Sequence, residues 1–253
     1  ISSILKKNNS VHYTRDINDK EIENSDFVIL PASIIAHETE IEALSKLSHK
    51  KVFVTGIFAT TMKEKYLTEN SIVVKNESDT FFYNVEKSNS LNLDFLNNLF
   101  NNKDLINDFY SPVSLDDLPY PDWADYTKRY PLRNDFFSLN QKIAVPLLGT
   151  RGCPYSCFFY CTYPLQQGRK VRARSVENII DEIKYWKKNL GTNKFVFRDP
   201  VFSINRKHTI EFCKQVIDQK LNITFMVETH LNNLDDEMIP LLREAGLELV
   251  YVG

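Results

Sequence analysis

The sequence predicts an α/β protein in which two runs of short, buried, parallel strands are separated by a proline-containing stretch. Compact apolar segments recur at Asp26–Leu30, Lys51–Thr55 and Ser71–Val74, and again at Ile143–Leu148, Lys194–Phe197, Ile223–Val227 and Leu247–Val252. Helical periodicity fills the gaps, from about Glu38 to Leu47 in the first run and over Ser175–Asn189, Asn205–Lys220 and Asp235–Ala245 in the second. Strands that are apolar throughout suit a parallel sheet covered on both faces, and strand–helix repeats wind into right-handed units of an open sheet or a barrel.

Taken in order, Ile1–Lys7 reads as the end of a helix and Val11–Thr14 as a short strand. A helix with no strand before it leads us to expect that the front sheet begins before Ile1. Residues 1–88 form the expected first domain, 89–140 a linker and 141–253 the second domain. From about Glu86 to Leu139 the alternation breaks down, and prolines at 112, 119, 121 and 131 oppose long helices and central strands. Trp123 and the neighbouring Tyr and Phe residues should pin this stretch to a domain surface rather than leave it as free coil. In the second run Ser175, followed by Asn178 and Asp181, suits a helix start, and Gly191 and Gly246 sit where helices should stop. Four strands cannot close a barrel, so the second domain is expected to continue beyond Gly253.

Composition narrows the function. The 253 residues are 43% hydrophobic and 25% charged with a formal net charge of −2, an ordinary globular balance. Lys and Arg are interspersed with Asp and Glu, which reads as a solvated surface and not a nucleic-acid stripe. No apolar run approaches the ~20 residues of a membrane helix, and Ile1–Lys7 lacks the pattern of a secretory signal, so a cytoplasmic setting is expected. Three of the four cysteines fall within nine residues. Without an export signal, such crowding points to metal rather than disulfides.

The cysteines lie in Gly149-Thr-Arg-Gly-Cys153-Pro-Tyr-Ser-Cys157-Phe-Phe-Tyr-Cys161-Thr-Tyr-Pro164, directly after a strand. The carboxyl end of a strand is where parallel α/β folds place their active sites. Gly149, Gly152 and Pro154 make the segment a loop. Three thiolates on one loop can hold an iron–sulfur cluster and leave one iron open; zinc held structurally would need a fourth ligand, which His208 or His230 could supply only by folding. Cys213, inside a helical segment, reads as a small core residue.

The motif Thr150-Arg-Gly-Cys-Pro-Tyr-Ser-Cys157 resembles the cluster loop of radical S-adenosylmethionine (SAM) enzymes, and more closely the subgroup with a cobalamin-binding domain in front. Leu118–Trp123, Arg172–Ile183, Phe197–Phe202, Glu228–His230 and Gly246–Gly253 resemble further stretches of that subgroup in the same order. The spacing departs from the usual C-x3-C-x2-C: here Phe158, Phe159 and Tyr160 make it C-x3-C-x3-C, which re-aims the third thiolate. The resemblance implies the first half of a radical SAM (β/α) barrel following a partial Rossmann-like domain. It also implies a 4Fe-4S cluster on Cys153, Cys157 and Cys161, SAM bound at the open iron, and cobalamin as a further cofactor of the subgroup. Reductive cleavage of SAM would then modify a small organic substrate by radical chemistry, by cobalamin-dependent methyl transfer or by ring closure, with an electron donor such as flavodoxin or ferredoxin. A zinc-binding scaffold protein is the alternative from a different class. Arg174 and Arg198 are candidates for the SAM carboxylate, and Asp199 and Glu228 for its amino group or ribose. Tyr155 and Tyr160 are expected to shield the cluster. In the front domain, Ser33 and Gly56 occupy loops that resemble those lining the cobalamin tail, while the D-x-H-x-x-G pattern that supplies a lower His ligand is absent. Residues that perform the chemistry on the substrate are not assigned.

Overall fold

The computed structural model describes residues 1–88, 91–130, 144–157 and 161–252. They form two compact units, one of residues 1–88, 91–121 and 161–167 and the other of residues 122–130, 144–157 and 168–252.

In the first unit, β1 (Val28–Pro31), β2 (Val52–Thr55) and β3 (Ser71–Val74) make a parallel sheet in that order. Every residue of β2 and β3 is buried, as the unbroken apolar runs require. One face packs Phe53, Ile72 and Val74 against Phe81, Phe82 and Val85 of the helix Ser78–Lys87. The other packs Val52 and Val54 against Leu44 of the helix His37–Lys46, with Leu47, Ala59 and Tyr66.

Part of the segment read as a linker belongs to this core. Leu93–Asn101 is a helix whose N-cap Asn92 accepts a hydrogen bond from Phe95 N at 2.8 Å. Leu96, Leu99 and Phe100 lie on one face of it, and the Phe100 ring meets Phe53 edge-on at 5.2 Å. The spacing i, i+3, i+4 was present in the sequence but interrupted by asparagines, which made the segment look like coil. Val11–Thr14, expected as a strand, is irregular, and Val11 packs as a single side chain against the core.

The second unit holds a parallel sheet in the order β4 (Ala144–Leu147), β7 (Lys194–Phe197), β8 (Thr224–Thr229) and β9 (Leu247–Val252). Between β4 and β7, the two-residue strands β5 (Thr150–Arg151) and β6 (Arg172–Ala173) pair antiparallel. Helices Val176–Leu190, Arg206–Asp218 and Met238–Glu244 fill the expected places. Ser175 caps the first by accepting from Asn178 N, and Asn205 caps the second by accepting from His208 N. A core of mostly edge-on rings, Phe197, Phe202, Phe212 and Phe225, packs β7 and β8 against the helix Arg206–Asp218. No helix among the described residues is long and apolar enough to cross a membrane.

Register decides what meets at the carboxyl end of this sheet. Leu147 is paired with Phe197, and Arg198 N donates to Leu147 O at 2.8 Å, so the residues following β4 and β7 lie side by side. Asp199 is therefore next to Gly149 and Thr150. Its carboxylate, 1% exposed, accepts from Gly149 N at 3.0 Å, from Thr150 Oγ1 at 2.7 Å and from Thr150 N. Burial pushes the carboxyl above its ordinary range, while these three donors pull the other way.

Two stability effects are expected. Leu99→Ala removes a fully buried side chain from the first core and should cost about 2–5 kcal/mol, read as a lower urea midpoint. Asp199→Ala leaves three buried donors without an acceptor, each worth roughly 1–3 kcal/mol, and should destabilise the second unit by about 3 kcal/mol or more. Asp199→Asn should rescue only part of that, because its amide nitrogen would confront a donor. A wild-type midpoint for Asp199→Ala would show that the carboxylate does not hold the loop.

Candidate metal centre

The cysteine loop leaves the end of β4, runs through β5 and returns as β6. Beyond the β5–β6 pair the two chains stay together, since Cys153 N donates to Gly168 O at 3.1 Å. Gly152 has φ 90°, and a Cβ there would overlap the Lys170 carbonyl, so a glycine is required for backbones this close. Cys153 lies behind this turn at 4% exposure, and Cys157 and Cys161 are half-buried. All four cysteines are free thiols. Burial in the core pushes the Cys213 thiol up to about 12, as suits a packing residue.

Tyr155, between the first two cysteines, stacks on His230 with ring centroids 5.0 Å apart. Its hydroxyl donates to Asn233 Oδ1 at 3.0 Å. His230 Nδ1 accepts from Asn232 N at 3.2 Å, which leaves the ring proton on Nε2. The segment following β8 thus braces the cysteine loop through an aromatic stack.

As a donor set, three reduced thiols and no disulfide on one strand-end loop suit an iron–sulfur cluster. Among the described residues, no group of three His, Cys, Asp or Glu is placed to hold a metal ion. Cys161 falls with residues 161–167 in the first unit, and Phe158, Phe159 and Tyr160 lie outside the described residues.

The four polar candidates around the loop divide into two pairs. Asp199 is enclosed by the Gly149–Thr150 backbone and the Thr150 hydroxyl, as described above. Arg174 is 10% exposed and forms an ion pair with Glu182, itself 1% exposed. It also donates to Asn178 Oδ1 at 2.7 Å and to Leu148 O at 3.2 Å. In this structure Arg174 and Asp199 both bond the residues at the start of the cysteine loop. Arg198 and Glu228, at the ends of β7 and β8, pair with each other at 2.9 Å and remain 43% and 32% exposed. They are the charged candidates that still face solvent.

In the first unit Ser33 and Gly56 lie at the carboxyl ends of β1 and β2. Ser33 N donates to both oxygens of Glu40, at 2.9 and 3.0 Å, and its hydroxyl donates to Glu40 Oε1 at 3.1 Å. The Tyr66 hydroxyl donates to the same carboxylate at 3.1 Å, and burial together with that contact pushes its pKa up to about 12. Gly56, with φ 108°, is needed because a Cβ would strike the Ala32 carbonyl; the close approach it permits is to the neighbouring strand end. Ile34 and Ile35, 69% and 94% exposed, project beside Ser33.

Sequence reasoning missed Glu182, Glu40 and the Tyr155–His230 stack. Glu182 had a signal, a charge on the apolar face formed by Ile179, Ile183 and Trp186, where it also accepts from Trp186 Nε1 at 3.1 Å. The stack had none, because it joins residues far apart in the chain.

Comparison with known proteins agrees with this arrangement. Residues 147–253 match the family described as the Radical SAM superfamily. An uncharacterized methyltransferase of Pyrococcus horikoshii is 29% identical over 107 residues, 42% of this chain and 23% of its own length. An anaerobic magnesium-protoporphyrin IX monomethyl ester cyclase of Cereibacter sphaeroides is 25% identical over 244 residues, 89% of this chain and 38% of its own. The chain thus spans a quarter to two-fifths of these relatives. Among solved structures, the radical SAM methyltransferase TsrM of Kitasatospora setae is similar in fold, with TM-score 0.66, 14% identity and coverage of 92% of this chain and 49% of TsrM. The cobalamin-dependent SAM radical enzyme OxsB follows, with TM-score 0.60 and 14% identity over 94% of this chain and 37% of its own. The cysteine loop at the end of β4 thus lies within a segment, residues 147–253, that is similar to the Radical SAM superfamily.

Proposed function

We propose that the protein binds a 4Fe-4S cluster through Cys153, Cys157 and Cys161, cleaves SAM reductively, and modifies a small organic substrate, with methyl transfer through cobalamin as the leading reaction. The carrying observation is the loop of free thiols at the carboxyl end of β4, within the segment matched to the superfamily. When bound, the cluster and SAM supply one-electron cleavage of a carbon–sulfur bond.

The chain's own residues have separable tasks in this reading. Asp199 and Arg174 hold the loop from behind. Arg198 offers a guanidinium for the SAM carboxylate and Glu228 an acceptor for its amino group, exchanging their mutual ion pair for ligand contacts. Tyr155 and His230 cover one side of the loop against water. In the first unit, Ile34 and Ile35 offer an apolar face to cobalamin at the end of the sheet where open α/β folds bind ligands. The electron comes from a flavodoxin- or ferredoxin-type donor in a reducing cytoplasm, where four cysteines stay free. Ring closure is the second reading, favoured by similarity to a cyclase that runs through both units.

Anaerobic reconstitution with iron and sulfide tests the centre. Wild type should turn brown, Cys153→Ala and Cys157→Ala should lose the iron, and Cys213→Ala should retain it. Unchanged iron in the Cys153 variant, or a colourless protein carrying zinc, overturns the reading. For the SAM site, Arg198→Ala should weaken binding by about tenfold or more, the effect of one lost charged hydrogen bond, as read by equilibrium dialysis. Stability should hardly change, since exposed ion pairs contribute roughly 0–1 kcal/mol. A large fall in stability with unchanged SAM binding would assign Arg198 a structural role instead.

A further inference from the structure

We propose that Arg169 is a positioning residue for the cluster loop: its guanidinium ties down the turn between Cys153 and Cys157 and keeps a fixed positive charge beside the thiolates. This rests on the cluster reading above. Arg169 Nη1 faces the Pro154 carbonyl at 3.5 Å, the Tyr155 carbonyl at 3.2 Å and the Ser156 hydroxyl at 3.2 Å. One nitrogen is therefore shared by all three residues that separate the two cysteines.

Arg169 is placed there by the backbone on either side of it. Gly168 O accepts from Cys153 N, and the Lys170 carbonyl lies against the Cα of Gly152. Residues 152–156 and 168–170 consequently run together, with the arginine reaching forward over the turn. Tyr155, stacked on His230 and bonded to Asn233, holds the same turn through its side chain. Without the guanidinium, two carbonyls and a hydroxyl return to solvent, while the Cys153 N–Gly168 O bond and the Tyr155 ring contact remain.

The charge has a separate consequence. A cluster bound by thiolates becomes more negative on reduction, and a nearby cation favours the reduced state, since net charge and contacts around the sulfurs set the potential. Lysine at 169 would keep the charge and lose the shared fork. The two contributions can therefore be separated by substitution. Arg169 is exposed, so its loss should not unfold the unit.

The test uses the full chain with and without iron. Without iron, hydrogen exchange at the Cys153 amide should speed up about fivefold or more in Arg169→Ala, as loss of one net hydrogen bond implies, while β7 amides and the urea midpoint stay at wild-type values. After anaerobic reconstitution, Arg169→Ala should retain less iron per chain and show a lower midpoint potential; Arg169→Lys should recover the potential but not the iron retention. Unchanged exchange at Cys153 in Arg169→Ala overturns the proposal. Faster exchange with unchanged iron and potential overturns it too, because the clamp would then serve the loop and not the cluster. Wild type that takes up no iron defeats the cluster reading, and the role toward the cluster with it, while the exchange result still decides whether the clamp exists.

Discussion

The cysteine loop depends on the Asp199 carboxylate. Two backbone N–H groups and one hydroxyl at the start of the loop converge on it, in a place with 1% exposure. None of those donors can turn to water, so the carboxylate and the loop backbone must form together or not at all. Parallel register makes the meeting possible, because pairing Leu147 with Phe197 brings the chain following β4 beside the chain following β7. The buried Arg174–Glu182 pair adds a second attachment through Asn178 and the Leu148 carbonyl. Breaking either partner would leave a charge stranded in the interior, the costly way to lose a buried ion pair.

Seen this way, charges near a ligand site fall into two groups that residue type alone does not separate. Arg174 and Arg198 are both arginines beside the same loop, as Asp199 and Glu228 are both carboxylates just past or at strand ends. Burial and partners distinguish them. Arg174 and Asp199 are enclosed and fully engaged, while Arg198 and Glu228 meet each other at the rim where solvent still screens them. An enclosed pair is poorly suited to exchange partners for a ligand, because exchange would require desolvated charges to separate. A rim pair can do so at small cost.

This division also explains what was legible from the sequence. Strand positions were readable because a parallel strand buried on both faces has an unbroken apolar run, and Ser71–Val74 and Lys194–Phe197 appear where that rule puts them. The Ser175 cap was readable because capping is local. The helix Leu93–Asn101 was hidden because its apolar face is only three residues wide among asparagines, and its stability comes from Phe53 rather than from itself. Ser33 and Gly56 were placed at the correct sheet edge, yet their partners Glu40 and Ala32 could not be inferred, since those contacts depend on how loops of different length fold back. The cysteine motif was legible as chemistry. Its supports, at Asp199, His230 and Arg169, come from three different stretches of chain and are a product of topology.

The supports are also distributed unevenly along the loop. Residues 149–156 are held by Asp199, by the β5–β6 pairing, by Gly168 and by the Tyr155 stack, so Cys153 is set by backbone contacts and Cys157 follows one residue after the turn. Cys161 lies beyond the three residues Phe158, Phe159 and Tyr160, one more than the usual spacing, and one residue of chain changes reach by roughly 3.3–3.6 Å. That exceeds an iron–sulfur bond length, so the extra residue cannot be absorbed by small adjustments of a side chain. The fixed half of the loop cannot absorb it either without breaking the contacts that hold Gly149 and Thr150. If the three thiolates share a cluster as proposed, the adjustment must come from outside the held residues 149–156.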